Sequence, residues 1–241
     1  MSTIEKTAIR PDIFAESLKN IYSSSISLPP VDTNEIHKNP PFSMEELYTS
    51  FSRMKKRRGA DKSFIVFEMV KHAGRPFHEK LLDEYNGILR TGIIPENWHV
   101  TVFTMLPKSG NLDETSNWRP IAILPILYKI FARLLYQRLD PILEQHQSHD
   151  QFGFRKQRRI EDAFVILENM IGKTNEWNIP LWMISLDLRN VFDRIEYVLL
   201  FEALRDQGVP EPYVQLLMAL YQDQKGIVNG NGFFIILRGV K

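Results

Sequence analysis

The stretch LWMISLDLRNVFDRI, residues 181–195, decides the fold. It opens as a continuous apolar run, ends that run in one carboxylate, Asp187, and places an aromatic, Phe192, five residues later. An apolar run of this length predicts a strand buried on both faces. An acid at the exit of such a strand is costly unless it is paired, solvated or bound to a cation. Asp187 is therefore a candidate metal ligand at the mouth of a sheet. The local alternative is structural: Asn190 is an N-cap, and Asp193 three residues on completes a variant capping box. Asp193 takes that structural role.

Working outward, a helix is predicted over 190–208, another over 212–221, and a β-hairpin around Asn229-Gly230-Asn231-Gly232. Upstream, a helix over 161–171 is expected to pack through Ala163, Phe164, Leu167 and Met170. The clearest helix lies over 124–139, where Leu127, Ile130, Phe131, Leu134 and Leu135 form an apolar stripe. Residues 100–106 are β-rich, and 79–90 read as an amphipathic helix closed by Gly92 and Pro95. Ser43 with Glu46 forms a capping box ahead of Leu47 and Phe51. Phe14, Leu18, Ile21 and Tyr22 have helical spacing before a Ser- and Pro-rich linker. Helices and strands mix without regular βαβ alternation, so the fold class is α+β.

The chain has 241 residues, 44% of them hydrophobic and 24% charged, and a net charge of +1. That is an ordinary globular composition, with no overall basic body. The basic residues are patchy instead: Lys55 to Arg58 is one run, and Arg155, Lys156, Arg158 and Arg159 form another. Each run is either solvated surface, a phosphate contact or a nuclear-import signal. There are no cysteines, which excludes disulfides and thiolate metal sites. No apolar signal core opens the chain, and no stretch approaches the ~20 apolar residues of a membrane span. An intracellular protein, nuclear or cytoplasmic and not secreted, is expected.

Two further cations stand out. Lys108 follows the β-rich segment, and Arg119 precedes a Pro-fixed turn. A point charge and a fork donor on one hairpin suit a triphosphate, although by themselves they read first as solvated surface cations.

LDLRNVFD resembles the first catalytic motif of reverse transcriptases from non-LTR retrotransposons, F-x-D-L-x-x-A-F-D, with Val191 in place of Ala. Leu106-Pro107-Lys108-Ser109-Gly110, Asn117-Trp118-Arg119-Pro120-Ile121 and the helix from Tyr128 to Leu139 are similar to that family's fingers. Gln151-Phe152-Gly153-Phe154-Arg155 resembles its Q-x-G-F-R, and Gly59-Ala60-Asp61-Lys62 its G-x-D-G turn, with Lys62 for the second Gly. The segment over 233–240 is similar to F-x-I-x-R-G-V.

The resemblance implies an RNA-directed DNA polymerase with a right-hand fingers and palm fold. Residues 1–42 would be an N-terminal helix and linker, 43–180 a fingers-like region, and 181–241 a first, incomplete part of the palm with inserted helices and no thumb. It implies that Asp187 binds the catalytic Mg²⁺ ions, that Lys108 and Arg119 hold the triphosphate, and that Phe192 sits under the sugar of the incoming nucleotide. Arg155, Lys156, Arg158 and Arg159 would lie near nucleic acid. The implied partners are an RNA template, a DNA primer, deoxynucleoside triphosphates and the remainder of the polymerase chain, with no membrane.

Two-metal nucleotidyl transfer needs several converging carboxylates. The family draws them partly from an Asp-Asp pair, and no such pair occurs in this sequence. The expected function is thus a fragment of a retrotransposon reverse transcriptase, inactive alone and holding Mg²⁺ weakly. The alternative is a non-catalytic, domesticated or relic nucleic-acid-binding fragment.

Overall fold

The computed structural model describes residues 9–23, 26–57, 59–188 and 190–228, together with the backbone of 234–236. The first helix, α1 (Pro11–Tyr22), starts on a proline whose fixed φ suits a first helical turn. A four-residue helix, α2 (Thr33–Ile36), follows, then α3 (Met44–Arg53). The capping box ahead of α3 forms as the sequence predicts. The Glu46 backbone N–H donates to Ser43 Oγ at 3.2 Å. The Ser43 N–H donates to Glu46 Oε2 at 2.8 Å.

Next come α4 (Phe67–His72) and α5 (Arg75–Thr91), which ends on Gly92 at φ 66°. A Cβ at Gly92 would stand 3.2 Å from the Ile36 and Thr33 side chains. Glycine alone meets both the left-handed backbone and the close approach, so it lets α5 end against α2. A hairpin of β1 (Val100–Pro107) and β2 (Trp118–Ile123) leads into α6 (Ile126–Glu144). Beyond it lie α7 (Ile160–Glu176), a short 3-10 helix (Phe192–Arg194), α8 (Tyr197–Asp206), α9 (Glu211–Tyr221), β3 (Lys225–Val228) and β4 (Phe234–Ile236).

The strands form one four-stranded mixed sheet in the order β2-β1-β3-β4. β1 pairs antiparallel with β2, Leu106 opposite Arg119, and parallel with β3, Val102 opposite Ile227. β3 and β4 pair antiparallel, and the turn residues predicted between them lie outside the described residues. Thr101, Phe103 and Met105 alternate onto one buried face of β1. That face is covered by α1, whose Phe14 and Leu18 pack with Phe103, Met105, Trp118 and Val228.

The larger core joins α3, α5, α6 and α9, with Phe131 at its centre. Phe42, Tyr85 and Trp98 all set their rings within 5.7 Å of Phe131. α9 is enclosed nearly all round: Val214, Leu216, Met218 and Leu220 are buried, which is why its apolar residues show no single stripe.

α6 is anchored at both ends by charged groups. Pro125, its N-cap residue, has no side-chain donor or acceptor to offer. Asp61 caps the helix from a distance: its Oδ2 accepts the Ile126 N–H at 2.9 Å, while its Oδ1 accepts the N–H groups of Ser63 and Ile65. The turn over residues 61–65 places Phe64, not Lys62, in the left-handed region, at φ 61°. The loss of the family's second Gly therefore changes the turn rather than straining residue 62. Toward the other end, Arg138 grips Glu46 with two donors at 2.6 and 2.9 Å, donates to the carbonyls of Pro40 and Pro41, and lies over the Phe42 ring.

Three predicted elements differ. Residues 181–188 form no strand and are not buried: Trp182 is 91% exposed and Ile184 86%. A strand needs a neighbour's N–H and C=O groups, and among the described residues none lies beside this run. The helix expected over 161–171 exists as α7, but its apolar face is uncovered, with Phe164 58% exposed. The helix expected over 190–208 is split. Asn190 sits at φ 53° and caps nothing, residues 192–194 make a 3-10 turn, and Ile195 is extended ahead of α8. Asp193 closes no capping box; its carboxylate serves another partner.

Removing either anchor has a measurable consequence. Asp61→Ala leaves three backbone N–H groups without their acceptor and should lower unfolding free energy by about 2–4 kcal/mol in urea titration. Burial opposes ionisation of Glu46, but Arg138 and the Ser43 N–H outweigh it and hold the carboxyl below its usual range. A depressed carboxyl stabilises the fold above its unfolded pKa, about 4.3, and that contribution is lost as pH falls through the folded value. Glu46→Gln should therefore flatten the acid limb of the stability–pH curve below about pH 4.3 and lower stability at pH 7.

Candidate nucleotide cleft

The β1–β2 hairpin projects two cations, one from β2 and one from the connecting loop. Arg119 stands in register with Leu106, and Lys108 begins the connecting loop. That loop is held closed: the Lys108 N–H donates to the Asn117 carbonyl at 2.8 Å, and Nζ donates to the Ser116 carbonyl at 3.1 Å. Gly110, at φ 120°, lies against the Asn117 side chain, where a Cβ would come within 3.1 Å. The Trp118 indole is buried beneath and donates to the Leu112 carbonyl.

Beside the hairpin lies a cavity of about 630 Å³. Lys108 and Arg119 line it from one side, α1 from a second, and the turn carrying Phe192 from a third. The sequence-predicted triphosphate cations and the sugar-contacting aromatic thus meet at one cavity, although Lys108 and Phe192 belong to separate elements. Phe192 is exposed and stands edge-to-face with Phe154 at 5.6 Å, which links the cleft to the Gln151–Arg155 segment. Both cations are exposed at the rim.

Asp187 is not among the lining residues. It is exposed at the end of the 181–188 run. Among the described residues no three His, Asp or Glu side chains are grouped to hold a metal ion. A lone exposed carboxylate does not fit a two-ion site, which needs several oxygen ligands around each ion.

The second basic run is docked onto the C-terminal turns of α6. Arg155 donates to Glu144 and to the Ser148 carbonyl, and Lys156 pairs with Asp140. Burial opposes ionisation of Asp140, yet Lys156 and the Tyr136 hydroxyl hold its carboxyl below the usual range. Arg158 lies over the Phe152 ring at 5.9 Å, and the Arg159 N–H donates to Asp162 at the start of α7. Two of the four predicted nucleic-acid cations are therefore already paired with acids.

From α1, Ser17, Leu18, Asn20 and Ile21 line the cleft without any sequence motif, whereas Asp193, the last residue of the LDLRNVFD string, lines it and accepts the Tyr22 hydroxyl at 2.8 Å. Burial, then the Asp193 carboxylate, push the Tyr22 phenol above its usual range, so it remains a donor. The one sequence signal was the helical spacing in α1, which says that a helix forms and not what it covers. No helix among the described residues is long and apolar enough to cross a membrane.

Residues 106–240, more than half of the chain, match the family model for reverse transcriptase (RNA-dependent DNA polymerase). The chain is 31% identical over 126 residues to the retrovirus-related Pol polyprotein from a type-1 retrotransposable element of Popillia japonica, covering 51% of this chain and 17% of that protein. It is 29% identical over 147 residues to the probable RNA-directed DNA polymerase from transposon X-element of Drosophila melanogaster, covering 58% of this chain and 16% of that protein. A Drosophila melanogaster RNA-directed DNA polymerase from mobile element jockey is 29% identical over 125 residues, covering 50% of this chain and 14% of that protein. The chain spans between 14% and 17% of the length of these relatives. With Lys108, β2, the cleft turn, β3 and β4 inside the matched region, the chain belongs to the reverse transcriptase family, and its relatives are polymerases of non-LTR retrotransposons.

Proposed function

We propose that the chain is the fingers and first palm segment of an RNA-directed DNA polymerase, and that its cleft receives the incoming deoxynucleoside triphosphate. The observation that carries this reading is the convergence of Lys108, Arg119 and Phe192 on one cavity. Arg119 is the fork donor for phosphate oxygens and Lys108 the point charge. The Phe192 ring offers an apolar face to the sugar, where a 2'-hydroxyl would lose its water without gaining a partner.

Asp187 is assigned as one carboxylate of the polymerase's metal site. Alone it holds Mg²⁺ weakly, since such ions rely on further carboxylates or substrate phosphates. Among the described residues no group of three acidic or His side chains is placed to hold a metal ion, so the role assigned to these residues is positioning the nucleotide. The template and primer are assigned to the side of the cleft where Phe154 meets Phe192. Arg158 and Arg159 offer phosphate contacts there, while Arg155 and Lys156 chiefly dock their loop onto α6.

Two measurements test this. Arg119→Ala should weaken binding of a deoxynucleoside triphosphate more than about tenfold, as loss of a charge-assisted contact does; unchanged affinity would count against the cleft. The purified chain should give no primer extension on an RNA template with Mg²⁺ and deoxynucleotides. Extension that vanishes in Asp187→Ala would overturn the non-catalytic reading of the isolated chain.

A further inference from the structure

α1 touches both walls of the cleft. At its middle, Ser17 Oγ donates to Thr115 Oγ1 at 3.1 Å. Thr115 adjoins Ser116, whose carbonyl accepts Lys108 Nζ. At its C-terminal end, the Tyr22 hydroxyl donates to Asp193 Oδ1 at 2.8 Å. Asp193 adjoins Phe192 in the 3-10 turn.

The helix is also clamped to the sheet on either side of Ser17. Phe14 stands edge-on to Trp118 at 5.3 Å, and the Tyr22 ring lies 5.6 Å from Phe103. A helix is stiff and rises about 1.5 Å per residue, so the five residues from Ser17 to Tyr22 fix a span of roughly 7–8 Å. The turn is met by this helix at Asp193 and by the Phe154 ring at Phe192. The run that precedes it, 181–188, has no strand beside it among the described residues. Within the turn, the Asp193 N–H donates to the Asn190 carbonyl and the Arg194 N–H to the Val191 carbonyl, and both bonds are local.

We propose that α1 is a strap that sets the distance between the phosphate-binding hairpin and the sugar-contacting Phe192, with Tyr22 and Asp193 as positioning residues for the nucleotide. The inference rests on the cleft being the nucleotide site. Tyr22 lies outside the cavity lining, and Asp193, which lines it, has its carboxylate engaged by the phenol. The Tyr22 hydroxyl fixes Asp193, Asp193 fixes the turn, and the turn presents Phe192. A nucleoside triphosphate uses both walls at once, whereas a bare tripolyphosphate uses only the hairpin. The strap therefore matters for the first ligand and not for the second.

The experiment compares dTTP with inorganic tripolyphosphate, without added metal, on the full chain and on Tyr22→Phe, Asp193→Ala, Asp193→Asn and Arg119→Ala. Tyr22→Phe and Asp193→Ala should each weaken dTTP about fivefold, as loss of one hydrogen bond does, and leave tripolyphosphate unchanged. Asp193→Asn keeps an acceptor for the phenol and should bind dTTP like the unaltered chain. Arg119→Ala should weaken both ligands. If Arg119→Ala weakens both while Tyr22→Phe and Asp193→Ala bind dTTP normally, the strap is wrong and the nucleotide cleft stands. If Arg119→Ala weakens neither, the cleft reading falls and takes the strap with it. An equal loss of both ligands in Tyr22→Phe would make α1 a structural element only and would also overturn the proposal. Hydrogen exchange supplies a ligand-free check: the amides of Asp193 and Arg194 should exchange about fivefold faster in Tyr22→Phe with α1 itself unchanged, and unchanged rates would sink the idea.

Discussion

The carboxylate of Asp61 is buried, and across 65 residues of sequence it accepts the backbone N–H of Ile126. A buried carboxylate is tolerated only when its oxygens are well supplied with donors. Here three N–H groups fill them, two from the 61–65 turn and one from the first turn of α6. The bond fixes where β2 ends and α6 begins, and therefore how the hairpin that carries Arg119 is seated on the core. Arg138, twelve residues along the same helix, holds the Pro40-Pro41 segment and the capped start of α3. Between these two anchors Phe131, Leu134 and Leu135 are enclosed, so helix, hairpin and core share one frame.

The cleft is built on that frame from segments distant in sequence. β2 and the loop that leaves β1 carry the cations, and the strand pairing fixes the base of that loop through the Leu106–Arg119 register. α1 supplies a wall and two hydrogen-bonded ties, one to the hairpin loop and one to the Phe192 turn. Each tie joins polar side chains over an apolar floor of Phe14, Trp118 and Phe103. The floor supplies most of the adhesion and the polar ties supply direction.

Docking of the second basic run onto α6 shows how a charge pattern misleads without its partners. Asp140 and Glu144 lie one helical turn apart, and they face Lys156 and Arg155. Each pair joins one largely covered side chain to one exposed side chain, and the pairing decides where the cations point. A phosphate at this surface must compete with those two carboxylates.

Much of the local structure was legible from residue types. The capping box at Ser43 and Glu46, the apolar stripe of α6, the Gly92 terminus and the β-rich 100–106 run are short-range patterns whose physics closes within a few residues. The motifs around Lys108, Arg119 and Asp187 likewise carried the family, because each is a contiguous string. What pattern could not decide was burial and partnership. The 181–188 run and the α7 face have the composition of core, yet both are exposed among the described residues, because burial belongs to a pair of surfaces and a sequence period describes only one. Asn190 looked like a helix cap, but its left-handed backbone and the Tyr22–Asp193 bond turned the following residues into a separate turn. The sequence by itself determined most of the helices, the family and the chemistry of each candidate side chain. Only the tertiary structure decided that α1 closes the cleft, that Asp61 caps α6, and that Asp193 answers to Tyr22, since each of these is a contact between groups that sequence spacing leaves unrelated.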